Sequence, residues 1–302
     1  MSYRIRPGER LSSEVSHVAE AQYRKAIGIL GERRGGAYEA IHDARKCFKR
    51  LRGLFRIVRD AGPKFCAREN ARVRDIAHSL SVVRDATAIV ETLDRLIATE
   101  ATAENHEALF AVRERMAVRR DRISVQQVDL EGRIDAAIAA CEQGITALGE
   151  LRLPGKRDKA ITLLAKGLAK NYCRAVRALA NADESDDPDD WHDLRKRIKY
   201  HRMHVQLMSP AWPGEMALRA NVADLAGEAL GDDHDLAALE AVIVADPDAV
   251  GSAEEIMVLR TCMAAQSARL HDQVRKMVRH LLKDDKKVVR DRIAALYLDA
   301  AQ

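Results

Sequence analysis

Two short stretches, IHDARKCFKRLR at 41–52 and WHDLRKRIKYHR at 191–202, carry the residues best suited to chemistry. Each has a His-Asp pair followed by Arg and Lys three or four residues apart: His42, Arg45, Lys46, Lys49, Arg52 and Arg56 in one, His192, Arg195, Lys196, Lys199 and Arg202 in the other. On an α-helix this spacing places them on one face as a continuous cationic strip. Solvated helix faces usually mix signs, because like charges at i,i+4, such as Arg45 with Lys49, cost about 0.2–0.5 kcal/mol per pair. A penalty kept twice, in register, points to an anion that relieves it. Arg engages phosphate oxygens bidentately and Lys acts as a compact point charge, so a phosphate-bearing ligand is the expected anion. A histidine among cations resists protonation and donates a neutral N–H. Arg50 and Tyr200 lie at the edges of the strips, while Arg24 and Arg174 precede them and extend the basic surface.

Opposite each strip lies an apolar stripe. Ala44, Cys47, Phe48, Leu51, Leu54, Phe55 and Val58 share one side of the first segment, and Leu194, Ile198, Val205 and Met208 one side of the second. These are the expected core faces. Helical periodicity continues almost throughout, with 4% aromatic residues and 32% charged, which favours an all-α fold. Gly and Pro fall in the breaks, at Gly35-Gly36, Gly62-Pro63, Pro154-Gly155, Asp187-Pro188, Pro210 to Gly214, Asp246-Pro247 and Gly251. They delimit eleven or twelve helices, with one break expected between segments at 214–230 and 234–244.

The two basic stretches superpose at an offset of 150. Six positions are identical: His42/His192, Asp43/Asp193, Arg45/Arg195, Lys46/Lys196, Lys49/Lys199 and Arg52/Arg202. Arg24 matches Arg174, Leu80 matches Leu230, and Asp85 matches Asp235 at the same offset. The expected organisation is a single domain over 1–302 built from an internal duplication, repeats 1–151 and 152–302, as two helical bundles related by approximate two-fold symmetry. Facing strips would then wall one positive groove, suited to a polymer of phosphates.

At these residues the sequence resembles the CHAD family, the conserved histidine alpha-helical domain. His42, Arg45, Lys49, Arg50 and Arg52 resemble its first basic motif, and His192, Arg195, Lys196, Lys199 and Arg202 its second; LSVVRD at 80–85 and LGDDHD at 230–235 resemble its later elements. The second copy departs from the first at His201 and His204, where the first has Leu51 and Leu54. The resemblance implies a helical domain that binds inorganic polyphosphate on a basic central surface, with some members associated with polyphosphate granules. It implies no catalytic activity, because relatives that act on phosphate carry a separate triphosphate-tunnel domain; this chain reads as a stand-alone member.

The same residues admit other chemistry. His-Asp recurs at 42–43, 192–193 and 234–235, as in HD-type metal phosphohydrolases, but Arg45, Lys46 and Lys49 would repel a metal. A nucleic-acid backbone would suit the strip, yet aromatic residues for base stacking are few and at core-like positions. A scaffold whose strips pair with acidic helices is a third reading. Single basic residues such as Lys166, Lys170, Arg68, Arg72, Arg84, Arg219 and His234 read as surface charges with a secondary role. The run DESDDPDD at 183–190 reads as a helix start, since Asp caps helices well. Five scattered cysteines without a CxxC pair argue against disulfides and structural zinc, and no metal or cofactor is expected. No stretch approaches 18 apolar residues and the N-terminus lacks a signal sequence, which predicts a cytoplasmic protein without membrane contact; small phosphate or sulfate ions are expected in the groove.

Overall fold

Each Gly- or Pro-marked break of the sequence separates two helices in the computed structural model. It describes residues 3–80, 82–125, 129–185 and 187–301, leaving out the side chains at 82–85 and 124–125. Among the described residues the chain is all-α, without strands. The first six helices are α1 (Leu11–Glu32), α2 (Ala37–Ile57), α3 (Pro63–Ser79), α4 (Val82–Glu100), α5 (His106–Val125) and α6 (Leu130–Ala147). The rest are α7 (Arg157–Glu184), α8 (Pro188–Leu207), α9 (Pro213–Ala245), the single turn α10 (Pro247–Val250), α11 (Ala253–Leu281) and α12 (Lys286–Asp299). No described helix is long and apolar enough to cross a membrane.

The acidic run starts α8 as expected. Asp187 accepts a hydrogen bond from the Asp189 backbone N–H at 2.9 Å, Pro188 occupies the first turn, and Asp189 and Asp190 lie at the positive end of the helix dipole. The next residue, Trp191, is buried and stacks on His271 of α11, with ring centroids 3.5 Å apart, while the Arg275 guanidinium sits 5.0 Å from its centroid. This anchors the end of α8 that carries His192.

One expectation fails at α9. The break between 230 and 234 does not exist; a single 33-residue helix runs through Gly227 and Gly231. Glycine inside a helix costs about 1 kcal/mol relative to Ala, but Leu230, Leu236 and Leu239 are buried on either side, and packing against α8 and α11 holds the helix continuous. Both glycines face side chains of α8 at ordinary contact distance. A Cβ at Gly231 would lie 3.6 Å from the Arg195 guanidinium, and one at Gly227 3.6 Å from Lys199 Cγ.

The helices pack in three groups. α1, α2, α3 and α6 form one; α7, α8, the start of α9 and α12 form a second. The third combines α4 and α5 with α11 and the remainder of α9, so helices from both halves of the chain interlock. The first and second groups meet where α2 packs on α7 and α8. The expected core stripes hold: Ala44, Leu51, Leu54, Val58, Leu194, Ile198 and Met208 are fully buried. His201 and His204 are buried as deeply as the leucines at the matching positions. Four cysteines are buried and Cys173 partly so, all reduced.

Candidate polyanion-binding cleft

The crossing of α2 and α8 is built on Gly53. A Cβ there would come within 2.8 Å of Met203 Sδ and 3.0 Å of Met203 Cβ and the Tyr3 hydroxyl, so any larger residue would force these side chains to shift. His204 Nε2–H donates to the Gly53 carbonyl at 3.2 Å, fixing the imidazole tautomer at the contact. Beside the crossing, the helices wall a cleft of about 950 Å³.

Its lining comes from five helices. α2 contributes Arg45, Lys49, Arg52 and Arg56; α8 contributes His192, Arg195, Lys196, Lys199 and Tyr200. α7 adds Arg174 and Arg177, and α9 adds His234 and Asp235, with Ala88 of α4 completing the wall. Ten Lys and Arg side chains face two carboxylates among the described lining residues, and both carboxylates are committed. Asp193 holds Arg197 at 2.8 Å, and Asp235 accepts from Arg95 at 3.1 Å.

Several cations are pre-positioned. Arg45 donates to the Ala77 carbonyl at 2.6 Å, Arg52 to Asn70 Oδ1 at 3.1 Å, and the Arg56 guanidinium lies 4.1 Å from the centre of the Tyr200 ring, a cation–π contact. Such supports restrict long side chains before a ligand arrives and reduce the entropy lost on binding. Arg174 sits in the most crowded part of this cluster. Burial, then the nearby charges of Arg197, Arg56 and Arg59, lower its pKa below the usual guanidinium range.

His192 and His234 form a pair within the cleft. Their Nδ1 atoms are 2.9 Å apart, so one donates and the other accepts, an arrangement that requires the accepting Nδ1 to be unprotonated. Burial first, then His234 and the neighbouring Lys196 and Arg195, push His192 down to about 4; burial and then Arg195 and Lys199 do the same to His234. Burial also lowers His201 to about 4 and His204 to about 3. All four are neutral at pH 7. With folded pKa values below the unfolded one, the unfolded chain binds more protons, and the stability present above about pH 6.5 is lost as pH falls towards 4. Each histidine contributes a slope of up to about 1.4 kcal/mol per pH unit in that window. Thermal melts across pH 7 to 4 should show the fall, and His201→Leu should flatten it. A Tm independent of pH over this range would contradict the buried neutral assignment.

The cleft does not gather every residue of the sequence motifs. His42 and Lys46 are exposed on α2 outside its lining, Lys46 pairing with Asp43 at 2.9 Å. Arg24 is exposed on α1 and pairs with Glu20 at 2.7 Å. Arg50 and Arg202 line a different recess, where Arg202 holds Asp224 at 2.8 Å. Arg68 and Arg72 clamp the buried Glu69, Lys170 pairs with Asp60, and Arg219 pairs with Glu215. Arg84 and Asp85, within the LSVVRD segment, lie outside the described side chains. Arg177 and Asn181 joined the lining unannounced; the signal for them was their spacing of three and seven residues from Arg174 on α7.

A family model of the CHAD domain matches residues 17–244, most of the chain and both basic helices. The chain belongs to the CHAD family. No curated protein matches it. Among solved structures it is similar to PptA from Streptomyces chartreusis, at 17% identity and a TM-score of 0.61 over 91% of this chain and 100% of that one. At that identity the likeness shows a shared fold.

Proposed function

We propose that this CHAD protein binds inorganic polyphosphate in the cleft without turning it over, and that binding brings it to polyphosphate granules in the cytoplasm. The observation that carries the reading is the convergence of basic side chains from α2, α7 and α8 on one concave surface whose two described carboxylates are already paired. A phosphate chain presents repeated negative oxygens along a flexible backbone, so it can meet cations from several helices at once. It would offset the mutual repulsion among Arg174, Arg197, Arg56 and Arg59. Family membership supports the same ligand class.

Two features weigh against the alternatives. Tyr200 is the one Phe, Tyr or Trp among the described lining residues, and Arg56 covers its ring, which leaves little for stacking bases. His192 and His234 adjoin Arg195, Lys196 and Lys199, whose charges oppose a metal of an HD-type site.

The test is capture on immobilised long-chain polyphosphate over a salt series, with RNA as competitor and orthophosphate release followed in parallel. Capture should weaken linearly in log–log form as salt rises, by analogy with nucleic-acid backbones, and should resist RNA at equal phosphate concentration. Displacement by RNA at parity would replace the reading with nucleic-acid binding. Release of orthophosphate that tracks the protein would replace it with hydrolysis.

A further inference from the structure

A second recess, of about 440 Å³, opens on the other side of α8 and shares no lining residue with the cleft. Three guanidinium groups reach it, from Arg4, Arg50 and Arg202. Arg202 is held by Asp224 at 2.8 Å, whereas Arg4 and Arg50 form no ion pair among the described residues. Arg50 is placed by Tyr3, whose buried hydroxyl donates to the Arg50 carbonyl at 2.7 Å and whose ring centre lies 5.8 Å from the Arg50 guanidinium. The remaining surface differs in kind from the cleft. Its apolar part is formed by Tyr3, Pro213, Met216, Ala217 and Ala220, and the carboxamides of Gln206 and Asn221 face the same space.

This mixture does not suit a polymer of phosphates. Two cations without an ion pair offer few contacts to a long chain, and an apolar surface gives it nothing. A compact ligand with a short anionic tail and a flat body answers each feature. Guanidinium groups take phosphate oxygens; small apolar side chains accept the face of a ring; a carboxylate accepts from sugar hydroxyls; and carboxamides both donate to and accept from the edge of a heterocycle. The volume lies within the range of small-molecule sites.

We propose that the recess between Tyr3, Arg50, Arg202 and the start of α9 is a second ligand site, specific for a nucleoside phosphate and independent of the polyanion cleft. Position, charge and lining are separate from those that support polyphosphate binding, so the site stands or falls on its own.

The test is titration of the full chain with a fluorescent N-methylanthraniloyl derivative of ATP, with and without saturating long-chain polyphosphate. Ala220→Phe fills the apolar part, and Gln206→Ala removes one carboxamide; neither residue touches the cleft. Saturable binding is expected, unchanged by polyphosphate, outcompeted by ATP and weakened at least about tenfold by Ala220→Phe, equivalent to about 1.4 kcal/mol. Gln206→Ala should weaken it less while leaving circular dichroism and polyphosphate capture intact. Absence of saturable binding overturns the proposal. So does displacement by polyphosphate, equal competition by inorganic triphosphate, or unaltered affinity in both variants when each is folded.

Discussion

Replacing Arg45, Lys49, Arg195 and Lys199 together by Glu is expected to abolish capture on polyphosphate while leaving the helical circular-dichroism signal largely intact. All four line the cleft, two from α2 and two from α8. Reversing them turns opposing walls negative, so the cleft repels the anion it otherwise gathers. The backbone tolerates the change because Glu is a good helix former and the apolar stripes beneath are untouched. Some structural cost is foreseeable: Arg45 donates to the Ala77 carbonyl, and Arg195 and Lys199 lie along the glycines of α9. The same four positions changed to Gln separate that cost from charge. The Gln protein should keep weak capture with a flatter salt dependence, since each phosphate contact removed lowers the log–log slope by about 0.7–0.9, the nucleic-acid value. If the Glu protein is folded and captures polyphosphate at wild-type salt, the cleft is not the binding surface.

The difference between what was legible in the sequence and what was not follows from what a helix encodes locally. Azimuth around a helix is fixed by spacing, so the buried faces of α2 and α8 and the existence of two basic strips could be read directly. Depth along a helix relative to its neighbours is set by crossing points, and these are not in the spacing. α2 and α8 cross at Gly53 and Met203, and the cleft takes the strip of α2 from Arg45 to Arg56 but that of α8 from His192 to Lys199. His42 and His192 therefore occupy matching sequence positions but unlike surroundings. Arg202, which aligns with Arg52 at the 150-residue offset, falls in the other recess for the same reason. His201 and His204 looked like departures from the basic motif, yet they share the azimuth of Leu51 and Leu54 and are core residues. α9 runs unbroken where the sequence predicts two segments, because Leu230, Leu236 and Leu239 are buried on either side of the expected break and local spacing does not carry that packing.

Gly167→Ala is expected to destabilise the protein and weaken polyphosphate binding together, although Ala is the better helix former. A Cβ at Gly167 would lie 2.0 Å from the carbonyl oxygen of Ile57 and 2.9 Å from its carbon, so α7 must move away from the end of α2. Backbone is the obstacle, and no rotamer change relieves it. Overpacking of this kind costs roughly 1–3 kcal/mol or more, which exceeds the gain of about 1 kcal/mol from helix propensity. The functional effect follows from register: Arg174 lies two turns further along α7 and gathers with Arg56 and Arg59, so displacing the seam spreads the guanidinium cluster that faces the anion. Gly227→Ala and Gly231→Ala provide the opposite case. Their added methyl groups meet Lys199 and Arg195 at 3.6 Å, ordinary contact, and each should raise stability by up to about 1 kcal/mol. Urea denaturation of the three variants beside polyphosphate titrations reads both effects. If Gly167→Ala matches the wild type in stability and affinity, contact between α7 and the end of α2 does not set the cleft wall; if the α9 variants lose stability instead, the side chains of α8 lie closer to that helix than the glycine spacing implies.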